Sequence, residues 1–416
     1  MNDSLGMVLN RSSKMVMMGM MLCLACSTAS VDSPYKGSSS PSRKESSPGA
    51  CLEGNRQETL AGFSFRLASA VLRDEKQNAV LSPLSAALSV GLSYPGAVGQ
   101  TAAAFQEALG LTDWCQASVL SLLGRLFEEG QLEVPGVSLE LANGIFASAD
   151  LPIAPAFIEQ NQRFSRSSIQ RVRFGTQAAQ ETIDRWVGES TGGTIGELGA
   201  DAYSADQALL LLNAVSFEGR WTIGFDKGLT RPGSFYVNED RIVPATLMRA
   251  NGTFSMVYGD DLQAVSLPYG DGRLAMTILL PYETDLAPAL AALDEETFLS
   301  LLAKMTPQDG TVQMPRFSLT TELSLKAALS KLGLARAFSA EADFSALSPD
   351  AGLSLSDVKQ KVRLTVSEDG TTAASATATE IKYGFFSVNH PFVFVIHDRE
   401  TGKPLFIGQV KTPDGL

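Results

Sequence analysis

Residues 188 to 192 read Gly-Glu-Ser-Thr-Gly, the G-x-S-x-G spacing that in some hydrolases lifts a nucleophilic serine, here Ser190, to the tip of a sharp strand-to-helix turn. The chain's two histidines, His390 and His397, follow it in the order such enzymes use for their general base. The context argues against that chemistry. An elbow needs a buried strand before the serine and a helix after it, whereas Thr182 to Glu189 has helical spacing and Thr191 to Leu198 is rich in glycine. His390 precedes Pro391 and His397 closes the apolar run Val393 to Ile396, which gives both a structural role, and single histidines offer no metal cluster. Gly270 to Arg273 has glycines but no phosphate-loop lysine, and reads as a hairpin turn. No cofactor or metal is expected, and a serine hydrolase using Ser190 is the remote reading.

A different chemistry is open to Val366–Gly384, where every side chain from Gly370 to Thr379 is Gly, Ala, Ser or Thr and no proline intervenes. Composition alone describes a surface linker. The same residues can also enter a β-sheet, since none is bulky and every backbone N–H is available. As a strand, Thr371, Ala373, Ser375 and Thr377 share one face and Thr372, Ala374 and Ala376 the other, and neither face buries a charge.

The elements that would position such a segment are legible in part. Apolar residues at helical spacing predict helices over Thr59–Leu72, Ala102–Leu109, Ala117–Phe127, Ala178–Ser190, Glu295–Lys304 and Leu323–Leu332. A short apolar strand ends at Ser82-Pro83, where serine is the N-cap of a further helix and proline its first residue. Runs rich in β-formers predict strands over Leu139–Phe146, Leu209–Phe217, Ala264–Pro268, Leu274–Leu280, Thr311–Leu319, Lys361–Val366, Pro391–His397 and Pro404–Val410. Helices first and strands later, without regular alternation, imply an α+β fold with mostly antiparallel sheets.

The 416-residue chain has 44% hydrophobic and 19% charged residues, enough to build a large core. Its net charge of -12 argues against nucleic acid or anionic membrane as a partner. Arg11 and Lys14 followed by the apolar stretch Met15–Ala25 describe an export signal over residues 1–25, too short to span a bilayer. Leu22 to Cys26 resembles a bacterial lipobox, with Cys23 where leucine is usual, and predicts lipidation of Cys26 in the cell envelope (outer membrane or cell surface), against plain secretion. Residues 26–50 are a Ser/Pro-rich tether, and the folded domain spans 51–416. The remaining Cys51 and Cys115 form one disulfide or stay as two thiols.

From Glu58 to Pro413 the sequence resembles a serpin, a serine protease inhibitor. Four blocks carry the resemblance in family order: Asn78 to Ser85, Leu212 to Phe225, the hinge Glu368 to Thr377, and Asn389 to Ile396 followed by Gly402 to Val410. The resemblance implies a metastable fold of three sheets and about nine helices, with an exposed reactive loop over about 368–388. Loop insertion in serpins is a standard example of stored strain released by cleavage. A target protease becomes acylated on the loop, and the freed hinge (Glu368, Gly370, Thr371, Ala373, Ser375 and Thr377) enters the main sheet and carries the protease with it. The targets implied are trypsin-, chymotrypsin- or elastase-like serine endopeptidases, with cysteine endopeptidases a further class, and the inhibitor is expected to act as a monomer that touches membrane only through its N-terminal lipid. The hinge has none of the prolines or bulky residues common in non-inhibitory members, so inhibition is favoured over a binding or chaperone role.

Other positions transfer singly. Ser82, Ser85 and Asn213 match the shutter cluster beneath the opening sheet, and Gln360 stands where the family usually has histidine, which removes that site's pH response. Trp221 and Arg316 match the breach where the hinge first enters, with Arg316 the partner of Glu368 in a pair worth about 0–1 kcal/mol if exposed. Counting forward from Gly370 by the family's usual spacing reaches Gly384, and counting back from Asn389 reaches Glu380, so the loop is about four residues short. Within that window Lys382 suits a trypsin-like pocket, Tyr383 and Phe385 a chymotrypsin-like one, and Thr379 an elastase-like one; Lys382 and Tyr383 rank first. Residues 101–127 contain Arg125 as their one basic side chain, which argues against activation by a polyanion.

Overall fold

The computed structural model describes residues 60–413 apart from 131–132, 166–167, 197–203, 206, 350–351 and 369–383. All of them belong to the unit Cys51–Leu416. The helices among the described residues are α1 (Ala61–Leu72), α2 (Pro83–Ser93), α3 (Gly99–Leu109), α4 (Gln116–Glu129), α5 (Pro155–Ser165), α6 (Gln177–Ser190), α7 (Ala287–Ala292), α8 (Glu295–Lys304) and α9 (Lys326–Lys331). The strands are β1 (Ala79–Leu81), β2 (Val137–Ser148), β3 (Ser168–Val172), β4 (Leu209–Gly219), β5 (Arg231–Tyr236), β6 (Ile242–Tyr258) and β7 (Leu262–Tyr269). They continue with β8 (Leu274–Pro281), β9 (Thr306–Pro315), β10 (Phe317–Ser324), β11 (Asp357–Val366), β12 (Phe385–Ser387), β13 (Phe392–Asp398) and β14 (Pro404–Val410).

Two hydrogen-bonded sheets result. One runs β10-β11-β4-β2-β3; the other runs β1-β14-β13-β8-β7-β6-β9-β12, with β5 attached to β6. The 17-residue β6 pairs with β5 over Ile242–Leu247, with β9 over Leu247–Met256 and with β7 over Ser255–Tyr258, and so joins into one ladder what the family resemblance counts as two sheets. Helix α2 packs against β2 and β4 of the first sheet and β14 of the second, which explains why almost every residue from Pro83 to Ser93 is buried. Its start is the one expected: the Ser82 side chain accepts from the Ser85 N–H, with Pro83 at the first position.

Two sequence expectations are corrected. The run Thr311–Leu319 is two strands, because the chain breaks at Arg316 and its backbone N–H turns to the Thr246 carbonyl. The helix expected over Leu323–Leu332 begins only at Lys326, because the alternating burial of Phe317, Leu319 and Thr321 carries the strand on to Ser324, paired with Lys359. The sequence reading missed α5, α7, β3, β5, β6 and β12.

Ser190 closes helix α6 and no strand precedes it, so the elbow geometry is missing. His397 is buried against the Thr277 hydroxyl at 2.9 Å, and His390 contacts the Pro281 carbonyl at 2.6 Å, so both histidines are engaged in the other sheet. Cys115, the N-cap residue of α4, is disulfide-bonded to a partner outside the described residues. No metal-binding group of His, Cys, Asp and Glu occurs among the described residues.

Candidate functional site at the open end of the five-stranded sheet

Strand β11 lies parallel to β4, paired from Asp357 with Leu210 to Leu364 with Phe217. There the two strands part. Thr365 and Val366 keep their pairing with β10, and Glu218 and Gly219 keep theirs with β2. The gap between them opens into a cavity of about 680 Å³ whose wall includes Glu218, Gly219, Trp221, Thr365, Val366 and Ser367. A chain leaving β11 at Val366 and doubling back into this seam would run antiparallel to both neighbours. It would exchange one parallel ladder for two antiparallel ones, the somewhat more stable arrangement.

The mouth of the gap is held by aromatic and ionic contacts. Trp221 is buried, stacks on Tyr269 at 4.2 Å, and donates its indole N–H to the Ser367 carbonyl at 2.9 Å. Gly219 permits that packing, since a Cβ there would stand 2.6 Å from the Tyr269 ring. One residue further on, the Glu368 carboxylate is 3% exposed. It accepts two hydrogen bonds from the Arg316 guanidinium and a third from the Thr230 hydroxyl. Burial raises its pKa, and the Arg316 and Thr230 hydrogen bonds outweigh that, leaving it below the usual carboxylate value. The exposed pair considered from sequence is therefore a partly buried, bidentate one, in which loss of a partner costs more than a surface pair contributes. The break at Arg316 that divides β9 from β10 supplies this clamp.

Lower in the seam a row of amides crosses three strands. Asn143 of β2 stands opposite Asn213 of β4, which stands beside Gln360 of β11. The Asn213 amide lies within donating reach of the Ser85 hydroxyl, the Asn143 side-chain oxygen (2.6 Å) and the Ala142 carbonyl (3.3 Å). Gln360 donates to the Asn213 oxygen at 2.6 Å and to the Ser82 carbonyl at 2.9 Å, and accepts from the Ser82 N–H at 2.9 Å. Beside the backbone ladder, β4 and β11 are joined in this row by a side-chain hydrogen bond that an amide can remake with an entering backbone, while the links to Ser82 and Ser85 fasten both strands to α2.

The residues matched by the serpin family model, serine protease inhibitor, are 58–413. Serpin B8 of Bos taurus is 35% identical over 358 residues, covering 82% of this chain and 94% of the relative. The chain belongs to the serpin family. Serine protease inhibitor 42Dd of Drosophila melanogaster is 33% identical, covering 81% of this chain and 92% of the relative, and an uncharacterized serpin-like protein of Thermococcus kodakarensis is 30% identical, covering 85% of each. The crystal structure of uncleaved ovalbumin superimposes with a TM-score of 0.78 at 23% identity, over 86% of this chain and all of ovalbumin, and carries the same fold. Serpins are named as protease inhibitors and not enzymes, which accords with Ser190 ending a helix and with the engagement of His390 and His397 in the other sheet.

Of the residues singled out from sequence, the serpin fold brings together Ser82, Ser85, Asn213 and Gln360 in one cluster and Trp221, Arg316 and Glu368 in another. Gly370, Thr371, Ala373, Ser375, Thr377, Thr379, Glu380, Lys382 and Tyr383 lie outside the described residues, as does Cys26. Gly384 is fixed: its carbonyl accepts from the Thr311 N–H at 2.9 Å. Phe385 opens β12 on the edge of β9, half-exposed, with the Arg249 guanidinium 5.9 Å from its ring. Sequence reasoning missed Asn143, Thr230 and Tyr269. Asn143 could be found only from the β2–β4 register, and Thr230 carries no local signal.

Proposed function

We propose that this serpin is a suicide-substrate inhibitor of serine endopeptidases, with cysteine endopeptidases open to the same chemistry. The observation that supports this reading is the seam between β4 and β11, unpaired at the end from which the hinge departs. In the proposed cycle the protease serine oxygen attacks the scissile carbonyl, the peptide C–N bond breaks, and the amine leaves with the proton delivered by the protease's histidine. The ester left on the loop tethers the enzyme. The hinge, freed at its far end, zips into the seam with Thr371, Ala373, Ser375 and Thr377 on one face, and the tether drags the protease away before water cleaves the ester.

The bond attacked lies before Gly384 on this reading. A substrate loop must lie extended in the protease cleft, and the carbonyl of Gly384 and the backbone of Phe385 are already committed to β9. That favours Lys382 and Tyr383 over Phe385, with Glu380 and Thr379 the next bonds towards the hinge. We further propose that the chain is exported and anchored through lipid on Cys26. Cys26→Ala should then shift the protein from the detergent phase to the aqueous phase in a detergent partition; unchanged partition argues for plain secretion.

The deciding experiment mixes the protein separately with trypsin, chymotrypsin and elastase. At least one should give a complex that survives boiling in SDS together with a C-terminal peptide whose mass locates the bond. Cleavage without complex would favour a non-inhibitory carrier or chaperone role, and reversible binding without cleavage would exclude trapping altogether.

A further inference from the structure

A second cavity, of about 560 Å³, lies in the other sheet, where the ends of β7 and β8 meet α7 and α8. Its floor is apolar, made by Leu262, Leu279, Leu293, Phe298 and Leu301. Two separate stretches of chain form its rim. The β6–β7 turn contributes Asp260 and Asp261, and the segment after β8 contributes Glu283 and Asp285, all exposed. No lysine, arginine or histidine occurs among the described residues of the wall. The two rims are tied together by Tyr282, whose N–H donates to the Asp261 carbonyl and whose hydroxyl donates to the Gly259 carbonyl, each at 3.1 Å. The carboxylates are thus held on a braced frame. Half of the Tyr282 ring remains exposed beside them.

From this geometry we infer a binding site for a small amphiphilic organic cation, an ammonium or guanidinium head on an apolar body. The volume falls within the roughly 300–1,000 Å³ of small-molecule sites, and the floor provides the burial that such ligands require. The charge selects the sign. Four like charges line one opening without a counter-charge in the wall, Asp285 also accepting from the Ala287 N–H, so a cation relieves their repulsion and an anion adds to it. The Tyr282 ring offers its face to the same head group. This site lies on a different sheet from the seam described above and does not depend on whether the protein traps proteases.

The probe is decyltrimethylammonium below its micellar concentration, measured by titration calorimetry on the intact protein. It should bind at least about ten-fold more tightly than decanoate, which has a comparable apolar body and the opposite charge, and than tetramethylammonium, which has no body. Its affinity should fall with added salt, as exposed carboxylates require. Asp261→Asn combined with Glu283→Gln, both at exposed positions, should abolish the preference over decanoate. Leu301→Trp should fill the floor and abolish binding, with Ala289→Phe on α7 as a second filling variant if the first fails to fold. Equal affinity for decanoate and the cation, or an unchanged preference in the charge variant, would overturn the inference.

Discussion

Glu368 is the last described residue before the loop, and a carboxylate 3% exposed there holds the loop's root shut only while Arg316 and Thr230 hold it. Glu368→Gln keeps the shape and removes the charge. Because Arg316 is itself 30% exposed and partly screened, the expected loss is about 1–3 kcal/mol, below that of a fully buried pair. The variant should unfold at a lower temperature at a fixed scan rate, and should take up a synthetic peptide of residues 370–379 into the seam faster than the parent does. Parental behaviour in both measurements would mean that the clamp does not govern the mouth of the seam. Gln360 supports a second expectation. Its amide both donates and accepts at every pH, so the row through Asn213 does not titrate. In Gln360→His a neutral imidazole can still accept from the Ser82 N–H, whereas a protonated one cannot, which would leave that buried N–H without its partner. Unfolding of Gln360→His should therefore accelerate more steeply than that of the parent as pH falls through about 6; parallel pH profiles would show that position 360 does not control the opening of the row.

At the scale of elements, the proposed insertion depends on β11 and on the segment that follows it. Val358, Gln360, Val362, Leu364 and Val366 of β11 are buried on one face, and any strand entering beside it must present the same alternation. Thr371→Arg would force a guanidinium under the sheet or stop entry near its start, so complex yield should fall at least about ten-fold while cleavage of the loop persists. Undiminished complex would contradict insertion of that face. How much of this was legible from sequence follows from what each feature depends on. The small-residue run and the Ser82-Pro83 cap are local signals, and the cap was found as expected. Glu295–Lys304 was placed to the residue because Asp294 caps it and its apolar spacing is strong. By contrast β6 was invisible, since its 17 residues serve three pairings and their exposure follows no single period. The division at Arg316 was missed because the partner of its backbone N–H, the Thr246 carbonyl, is distant in the chain. Asn143 was missed for the same reason: nothing near it in the chain marks its place opposite Asn213.

For the whole molecule, the proposed mechanism makes the described fold one side of a conformational change, and its stability is then best read as resistance to unfolding at a fixed scan rate. Three buried ionisable groups give that resistance a definite pH dependence. Burial pushes the Glu368 carboxyl up, but Arg316 and Thr230 bring it below its usual value; burial likewise pushes Asp398 up, and Arg273 and Thr401 bring it below its usual value. Burial lowers His397 from 6.5 to about 4, against a smaller opposing effect of its hydrogen bond to the Asp398 carbonyl. The sign is the same for all three. Each binds fewer protons folded than unfolded, so stability rises with pH and is lost on acidification. His397 acts first: between about pH 6.5 and 4 the unfolded chain takes up a proton that the folded one refuses, which removes about 3 kcal/mol by the lower end of that window. The carboxylates add their loss only below their unfolded values, near pH 4. The thermal midpoint should thus be level near neutrality, decline from about pH 6.5 and steepen below about pH 4.5. His397→Gln can keep a hydrogen bond to the Thr277 hydroxyl without titrating, and should remove the first decline while leaving the second. If His397→Gln keeps the parental slope between pH 6.5 and 4, burial of this imidazole is not the source of the first decline; Glu368→Gln should in either case reduce only the loss below about pH 4.5.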